Sequence, residues 1–231
     1  MTVAGSTREG RGIDDDFVSI ASHELRTPIS IVHGIAATLD ARVDELPDDQ
    51  VHALLSQLVA QTDRLRDLAD QLLDLSRIES GVAGPTERFD ARRSLEELLP
   101  RIAADRAADV KLQVEPGRTL VTDRIGFERV AANLILNALR YGAPPVEVDV
   151  EDDPCRLVVE DNGPGVEPGF VPRLFERFSR SDESRRSGEA GSGLGLAIAS
   201  AYARALGGEL AYEPAEPRGA RFTLSLPAAR S

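Results

Sequence analysis

The chain has 231 residues and a net charge of −12, with 42% hydrophobic and 29% charged residues. That allows one or two domains with a sizeable core, and the acidic balance excludes nucleic acid as the main partner, since phosphate binding needs a basic face. The single cysteine, Cys155, excludes an internal disulfide framework and fits a reducing compartment, and no apolar run approaches the roughly 20 residues that cross a bilayer.

Residues 1–13 are small, polar and without period, and read as a flexible lead-in. Asp14, Asp15 and Asp16 place negative charge where a helix dipole favours it, at the start of a helix running to about Val43. At 100° per residue, Phe17, Ile20, Ala21, Pro28, Ile31, Val32, Ile35 and Leu39 share one stripe. His23 then falls roughly 120–140° off that stripe and faces water, with Thr27 one turn on along the same side and Glu24 at the stripe's edge. Pro28 removes a backbone donor and presses on the carbonyl of Glu24, so the helix is expected to bend just past the histidine.

A turn around Asp44–Asp49 leads into a second helix. Val51, Leu55, Leu58, Thr62, Leu65, Ala69 and Leu72 recur at alternating steps of four and three, a coiled-coil-like seam of roughly four heptads, with Leu54, Leu68, Leu73 and Leu75 widening it. Two such helices cannot bury broad stripes on each other alone; a symmetric dimer forming a four-helix bundle would. Ser80-Gly81-Val82-Ala83-Gly84-Pro85 ends the helix and divides residues 14–80, a helical hairpin, from a second domain over 81–231.

From Thr86 the pattern turns mixed α/β. Residues 94–108 read as a helix, 111–114 and 119–121 as short strands, and Asp123 as the cap of a helix running to about Tyr141. Val146–Val150 alternates as a strand that pairs with Arg156–Glu160 in a hairpin. Residues 163–192 read as a long mobile loop. A helix over 194–206 ends at Gly207-Gly208, and strands near 209–213 and 221–226 close the domain.

Several segments carry candidate chemistry. Asn133 and Asn137 lie four residues apart on one helix face, and an amide oxygen can complete the shell of a hard cation such as Mg²⁺ without adding charge beside phosphates. Arg140 and Tyr141, on the adjoining turn, suit phosphate oxygens and a base. Asp161-Asn162-Gly163-Pro164-Gly165 follows a strand; alone it reads as a turn, but it also offers a carboxylate to an adenine amino group with glycines admitting the ring. Gly191-Ser192-Gly193-Leu194-Gly195 opens a helix, where backbone N–H groups can approach phosphates. Between them Phe175 and Phe178 anchor an otherwise polar loop. Lys111 is the only lysine, so the Walker loop and the strand lysine of the eukaryotic protein-kinase fold are both absent.

The run Ser22-His23-Glu24-Leu25-Arg26-Thr27-Pro28 resembles, without a gap, the phosphoacceptor box of the sensor histidine kinases of two-component systems. In the same order, the asparagine helix, the first glycine segment, the phenylalanine pair and the second glycine segment resemble the corresponding boxes of the histidine-kinase ATP-binding domain of the GHKL superfamily. The resemblance covers about residues 14–227; Arg140 stands where the family often has lysine or histidine. It implies an all-α antiparallel helical hairpin, a four-helix bundle as a dimer, followed by an α/β two-layer sandwich. It further implies that ATP binds with Mg²⁺ held partly by Asn137 with Asn133 nearby, that His23 takes the γ-phosphate with Glu24 polarising it, and that an aspartate of a response regulator receives it. Glu24-x-x-Thr27 is also similar to a motif that orients a hydrolytic water, which implies phosphatase activity. The expected setting is cytoplasmic, without membrane contact in this chain, in a native protein that could be longer and anchored elsewhere. The rival readings are a catalytically silent nucleotide-binding dimeric scaffold and another GHKL enzyme such as an anti-sigma serine kinase.

Overall fold

A computed structural model describes residues 9–80, 84–151, 155–181 and 191–227, with the side chains of 9–16, 79 and 104 also outside the description. Residues 1–8 of the expected lead-in, and 182–190 of the expected loop, lie outside the described residues. The chain divides into two compact units: residues 1–73 with 190–192, and residues 74–189 with 193–231.

The first unit is built on a helical hairpin. Helix α1 spans Glu9–Arg42 and α2 spans Asp48–Glu79, joined by a short 3-10 turn at Val43–Glu45. The helix therefore begins five residues before the expected start, taking in Glu9 to Ile13. It continues through Pro28 to Arg42. Arg42 Nε donates to Glu45 at 3.0 Å, and the amides of Gln50 and Val51 return to the Pro47 carbonyl, so both ends of the connection are satisfied. Asp48 and Asp49 stand in the first turn of α2, where the dipole favours them.

On α1 the buried side chains are Ala21, Pro28 and Ile35, seven residues apart, with Leu25, Val32 and Leu39 half-buried between them. Ile20 and Ile31, expected in that stripe, are exposed. On α2 the covered series is Val51, Leu54, Leu58, Gln61, Leu65, Leu68 and Leu72. The expected series is therefore corrected: Leu55, Thr62 and Ala69 face outward, and Leu54 and Leu68 take their places. Both frames share Val51, Leu58, Leu65 and Leu72, and the choice between them turns on Gln61, whose polarity hides the true frame. Its Oε1 is buried without a hydrogen-bond partner among the described residues.

The second unit packs helices on one face of a mixed sheet. Among the described residues seven strands form: β1 Thr86–Asp90, β2 Val110–Leu112, β3 Thr119–Asp123, β4 Val146–Glu151, β5 Arg156–Glu160, β6 Glu209–Pro214 and β7 Ala220–Ser225. The helices are α3 Ala91–Ala103, α4 Arg124–Tyr141 and α5 Gly195–Ala205. The main sheet has the order β2-β4-β5-β7-β6, parallel only between β2 and β4; β1 and β3 form a separate antiparallel pair. β4 alternates as expected, with Val146, Val148 and Val150 buried, and across the ladder Val148 pairs with Val159 and Val159 with Phe222. Against this face α4 presents Phe127, Val130, Ala131, Leu134 and Ile135, all fully buried. The opposite side of the sheet carries Glu147, Asp149, Glu160, Arg221 and Thr223, so the unit is a two-layer sandwich.

Two expectations need correcting here. The helix over 94–108 is a shorter α3 followed by a 3-10 stretch at Ala104–Asp109, and strand β1, Thr-Glu-Arg-Phe-Asp, was not foreseen because only Phe89 of its five residues is buried. Asp123 caps α4 as expected: Oδ1 accepts from the Gly126 amide at 3.1 Å. Its other oxygen accepts from the Gly84 amide at 2.7 Å, which fastens the chain just ahead of β1.

Candidate functional site

On α1, His23 is exposed, as its offset from the apolar stripe predicts. Thr27 is exposed too, and its hydroxyl donates to the His23 backbone carbonyl at 3.3 Å. Glu24 is half-buried and lies 4.0 Å from Arg64 Nη2 of α2, so the carboxylate beside the histidine is held by the antiparallel helix. The three residues of the segment thus have separate conditions: an imidazole in water, a carboxylate steadied by a cation, and a hydroxyl resting on the helix backbone.

In the α/β unit the sequence-picked residues gather around the C-terminal half of α4 and the N-terminus of α5. Asn133 Nδ2 donates back to the Arg129 carbonyl at 2.8 Å. That fixes the carboxamide so that its Oδ1 faces α5, where a Cβ on Gly195 would stand 3.2 Å from it. Asn137, half-buried, lies one turn further along α4; Tyr141 is half-buried and Arg140 exposed. Among the described residues the Arg140 guanidinium pairs with none of the others. The Asn133 carboxamide oxygen suits a hard divalent cation, because its amide nitrogen is already spent on the helix and leaves the oxygen as the outward ligand.

Asp161 sits at the end of β5 and is 3% exposed. Its Oδ1 accepts from the Gly163 amide at 2.7 Å, while its own amide donates to the Ala220 carbonyl at 3.0 Å. Burial pushes the carboxyl above its ordinary range, against the pull of those backbone contacts, and the neighbouring Glu160 charge adds to the rise. Glycines crowd it on three sides: a Cβ on Gly142 would fall 2.4 Å from its Cγ, one on Gly163 2.9 Å from its Oδ1, and one on Gly219 1.8 Å from its carbonyl oxygen. Gly142 and Gly219 were not picked out from the sequence. The signal was faint: one follows a helix and the other precedes a strand, both ordinary places for glycine.

Gly165 packs on the Gly219 carbonyl, and the next amide, Val166, donates to the Tyr212 hydroxyl at 3.2 Å. The described part of the long loop is folded rather than open. Its amides return three residues back from Phe170 to Ser179, around a 3-10 turn at Val171–Arg173. Leu174 is buried, and Phe175 meets Phe222 edge-on at 6.5 Å. Phe178 has φ +57, a conformation costly for an aromatic residue. Gly193, at φ +71, lies directly against it; a Cβ there would stand 2.7 Å from the Phe178 carbonyl carbon. The phenylalanine segment and the second glycine segment thus form one packed pair, and only glycine fits both the space and the backbone at 193. Gly191 is buried, and Ser192 donates to Gln71 of α2 at 2.6 Å. The N-cap residue of α5, Leu194, has no side-chain cap hydrogen bond, and the first amides of a helix suit an anion.

Comparison with known proteins agrees with both halves. Residues 14–81 match the His Kinase A (phospho-acceptor) domain, and residues 122–230 match the histidine kinase-, DNA gyrase B- and HSP90-like ATPase family. The chain is 35% identical over 223 residues to the signal transduction histidine-protein kinase AfsQ2 of Streptomyces coelicolor, covering 91% of this chain and 41% of that protein. It is 35% identical over 221 residues to the histidine-protein kinase/phosphatase MprB of Mycobacterium ulcerans, covering 91% of this chain and 42% of that one. The chain thus spans well under half the length of these relatives. Among solved structures, Acinetobacter baumannii histidine kinase AdeS superposes with a TM-score of 0.71 at 27% identity, covering 90% of this chain and 98% of that chain. A mycobacterial MprB structure gives 0.51 at 30% identity over 64% of this chain and all of that one. A phosphoacceptor hairpin followed by a GHKL-type nucleotide fold, matched along nearly its whole length, places this chain among the sensor histidine kinases of two-component systems.

Proposed function

We propose that this chain is a kinase core that phosphorylates its own His23 from ATP and passes the phosphoryl group to an aspartate of a response-regulator receiver domain. The supporting observation is the exposed imidazole of His23 beside a steadied carboxylate, within the stretch that matches the phospho-acceptor domain. An imidazole nitrogen attacks the γ-phosphorus in line, the bond to the bridging oxygen breaks, and ADP leaves. Glu24 accepts the imidazole proton or a hydrogen bond from it, so that the attacking nitrogen keeps its lone pair. Asp161 accepts from the adenine amino group, the first glycine segment admits the ring, and the N-terminus of α5 receives the phosphates. Asn137 and Asn133 would hold Mg²⁺, which when bound neutralises charge on the phosphate oxygens. Arg140 and Tyr141 stand beside them as candidate contacts for phosphate and base.

Such a core works as a homodimer. Leu55, Val59 and Leu73 form an exposed apolar row on α2, about a quarter-turn round from the covered series, and Val18, Ile20 and Ile29 are exposed on α1. A second copy would cover these in a four-helix bundle. No helix of the described residues is long and apolar enough to cross a membrane, and the single free cysteine suits a cytoplasmic setting.

The test is incubation with γ-labelled ATP and Mg²⁺. Wild type should gain acid-labile, base-stable label, and His23→Gln should gain none. Nucleotide binding without any labelled protein would turn the reading into a silent scaffold. Phosphatase activity toward the phosphorylated regulator is a second activity of the same segment, supported by Thr27 lying on the face of His23 and by the kinase/phosphatase name of one relative.

A further inference from the structure

The boundary between the two compact units falls inside a continuous helix, between Leu73 and Asp74 of α2. What draws the end of that helix into the α/β unit is a buried carboxylate. Asp74 is 5% exposed. Its Oδ2 meets Arg129 Nη1 of α4 at 3.2 Å, and its Oδ1 accepts from the Tyr202 hydroxyl of α5 at 3.2 Å. Leu75, beside it, is 2% exposed.

A carboxylate this deeply buried is costly unless each oxygen finds a partner. Arg129 and Tyr202 come from the two helices that carry the candidate nucleotide residues. Arg129 is one turn before Asn133 and receives the Asn133 amide on its carbonyl. Tyr202 is seven residues beyond Gly195, on the helix whose N-terminus faces Asn133. Burial, with the Asp74 charge next, pushes the Tyr202 phenol up to about 12, so it remains a donor throughout the physiological range.

We propose that Asp74 is a positioning residue for phosphoryl transfer: its latch to Arg129 and Tyr202 makes the last turns of α2 part of the nucleotide unit and holds α4 and α5 in place around the bound phosphates. This rests on the kinase reading above and adds its point of mechanical input. A displacement of α2 is delivered through a stiff helix to α4 and α5 together. With the latch cut, the last turns of α2 no longer hold α4 and α5, and a less well-held nucleotide lowers the effective concentration of ATP at the histidine.

The test compares Asp74→Asn, Tyr202→Phe, Asp74→Glu and a two-glycine insertion between Gly81 and Val82. At saturating ATP, Asp74→Asn should lower the rate of His23 phosphorylation about tenfold while affinity for a fluorescent ATP analogue stays within about twofold. Tyr202→Phe, the milder variant, should lower the rate about threefold, and Asp74→Glu should retain most of it. The glycine insertion should leave the rate within about twofold, because the latch lies before it. Hydrogen exchange, read on the protein without ATP, should show amides of residues 75–79 and 130–133 losing protection in Asp74→Asn. Unchanged exchange overturns the latch whether or not the wild type phosphorylates itself, whereas an unlabelled wild type with altered exchange overturns only the kinase reading. A rate unchanged or raised in Asp74→Asn, a fall in nucleotide affinity matching the fall in rate, or an insertion as damaging as the substitution also overturns it.

Discussion

Replacing Asp161 by asparagine should make the protein more stable and less able to bind nucleotide. The carboxyl is 3% exposed and burial raises its pKa above the ordinary value. A carboxyl raised in the folded state contributes its full stability below the unfolded pKa, about 3.9, and that contribution is lost as pH rises through the folded value. At neutral pH the wild type therefore carries a buried charge that the amide does not. Asparagine keeps an Oδ1 to accept from the Gly163 amide, 2.7 Å away in the wild type, so the turn itself is preserved. Asp161→Asn should melt higher than wild type at pH 7, and the gap should close as pH falls toward 4.

Binding moves the other way. The oxygen not used by Gly163 is the proposed acceptor for the adenine amino group, and in asparagine that position becomes an NH₂ facing an NH₂. Losing a hydrogen bond to a charged group costs about 1.5–3 kcal/mol, or roughly 10- to 150-fold in Kd. Calorimetric titration with a non-hydrolysable ATP analogue, alongside melting curves from pH 4 to 8, measures both. A variant less stable than wild type at pH 7 that binds the analogue within threefold would refute the assignment of this carboxylate to adenine, together with the cost attributed to its burial.

Gly219→Ala should be severely destabilising, because its Cβ would fall 1.8 Å from the Asp161 carbonyl oxygen at φ +121. We expect a loss of about 3 kcal/mol or more, near 10 °C in melting temperature. Gly117→Ala is the control: φ is +79 but nothing lies within 4 Å, so only the backbone cost of about 1 kcal/mol applies. Thr27→Ala should slow loss of phosphate from a phosphorylated regulator while sparing His23 labelling; equal rates from both proteins would remove the phosphatase role. Val59→Glu, at a position 57% exposed in the single chain, should leave the monomer folded and shift sedimentation from dimer to monomer; an unchanged dimer would place the interface elsewhere.

What the sequence disclosed and what it hid divide along a physical line. Local rules suffice where one residue acts on its own backbone or face. Asp123 was readable as a cap, the β4 alternation as a half-buried strand, and His23 as a wet residue on an apolar helix. They fail where two frames differ by one polar residue. Leu55 and Leu54 are equally good seam residues, and only the neighbouring helix decides that Gln61 is covered and Thr62 is not. They fail again where a requirement is set by a distant segment. Gly219 is needed because Asp161, 58 positions earlier, passes beneath it, and no local pattern around Arg218-Gly219-Ala220 contains that information. Asp74 is the sharpest case. On a helical wheel it is one more acid on a charged helix, yet its environment is made by Arg129 and Tyr202, on two helices that lie far along the chain in the same compact unit. A site of this kind is legible from sequence in its chemistry, since carboxylate, carboxamide and glycine each advertise what they can hold. Its constraints are not, because they are distances between segments, and those exist only once the chain has folded.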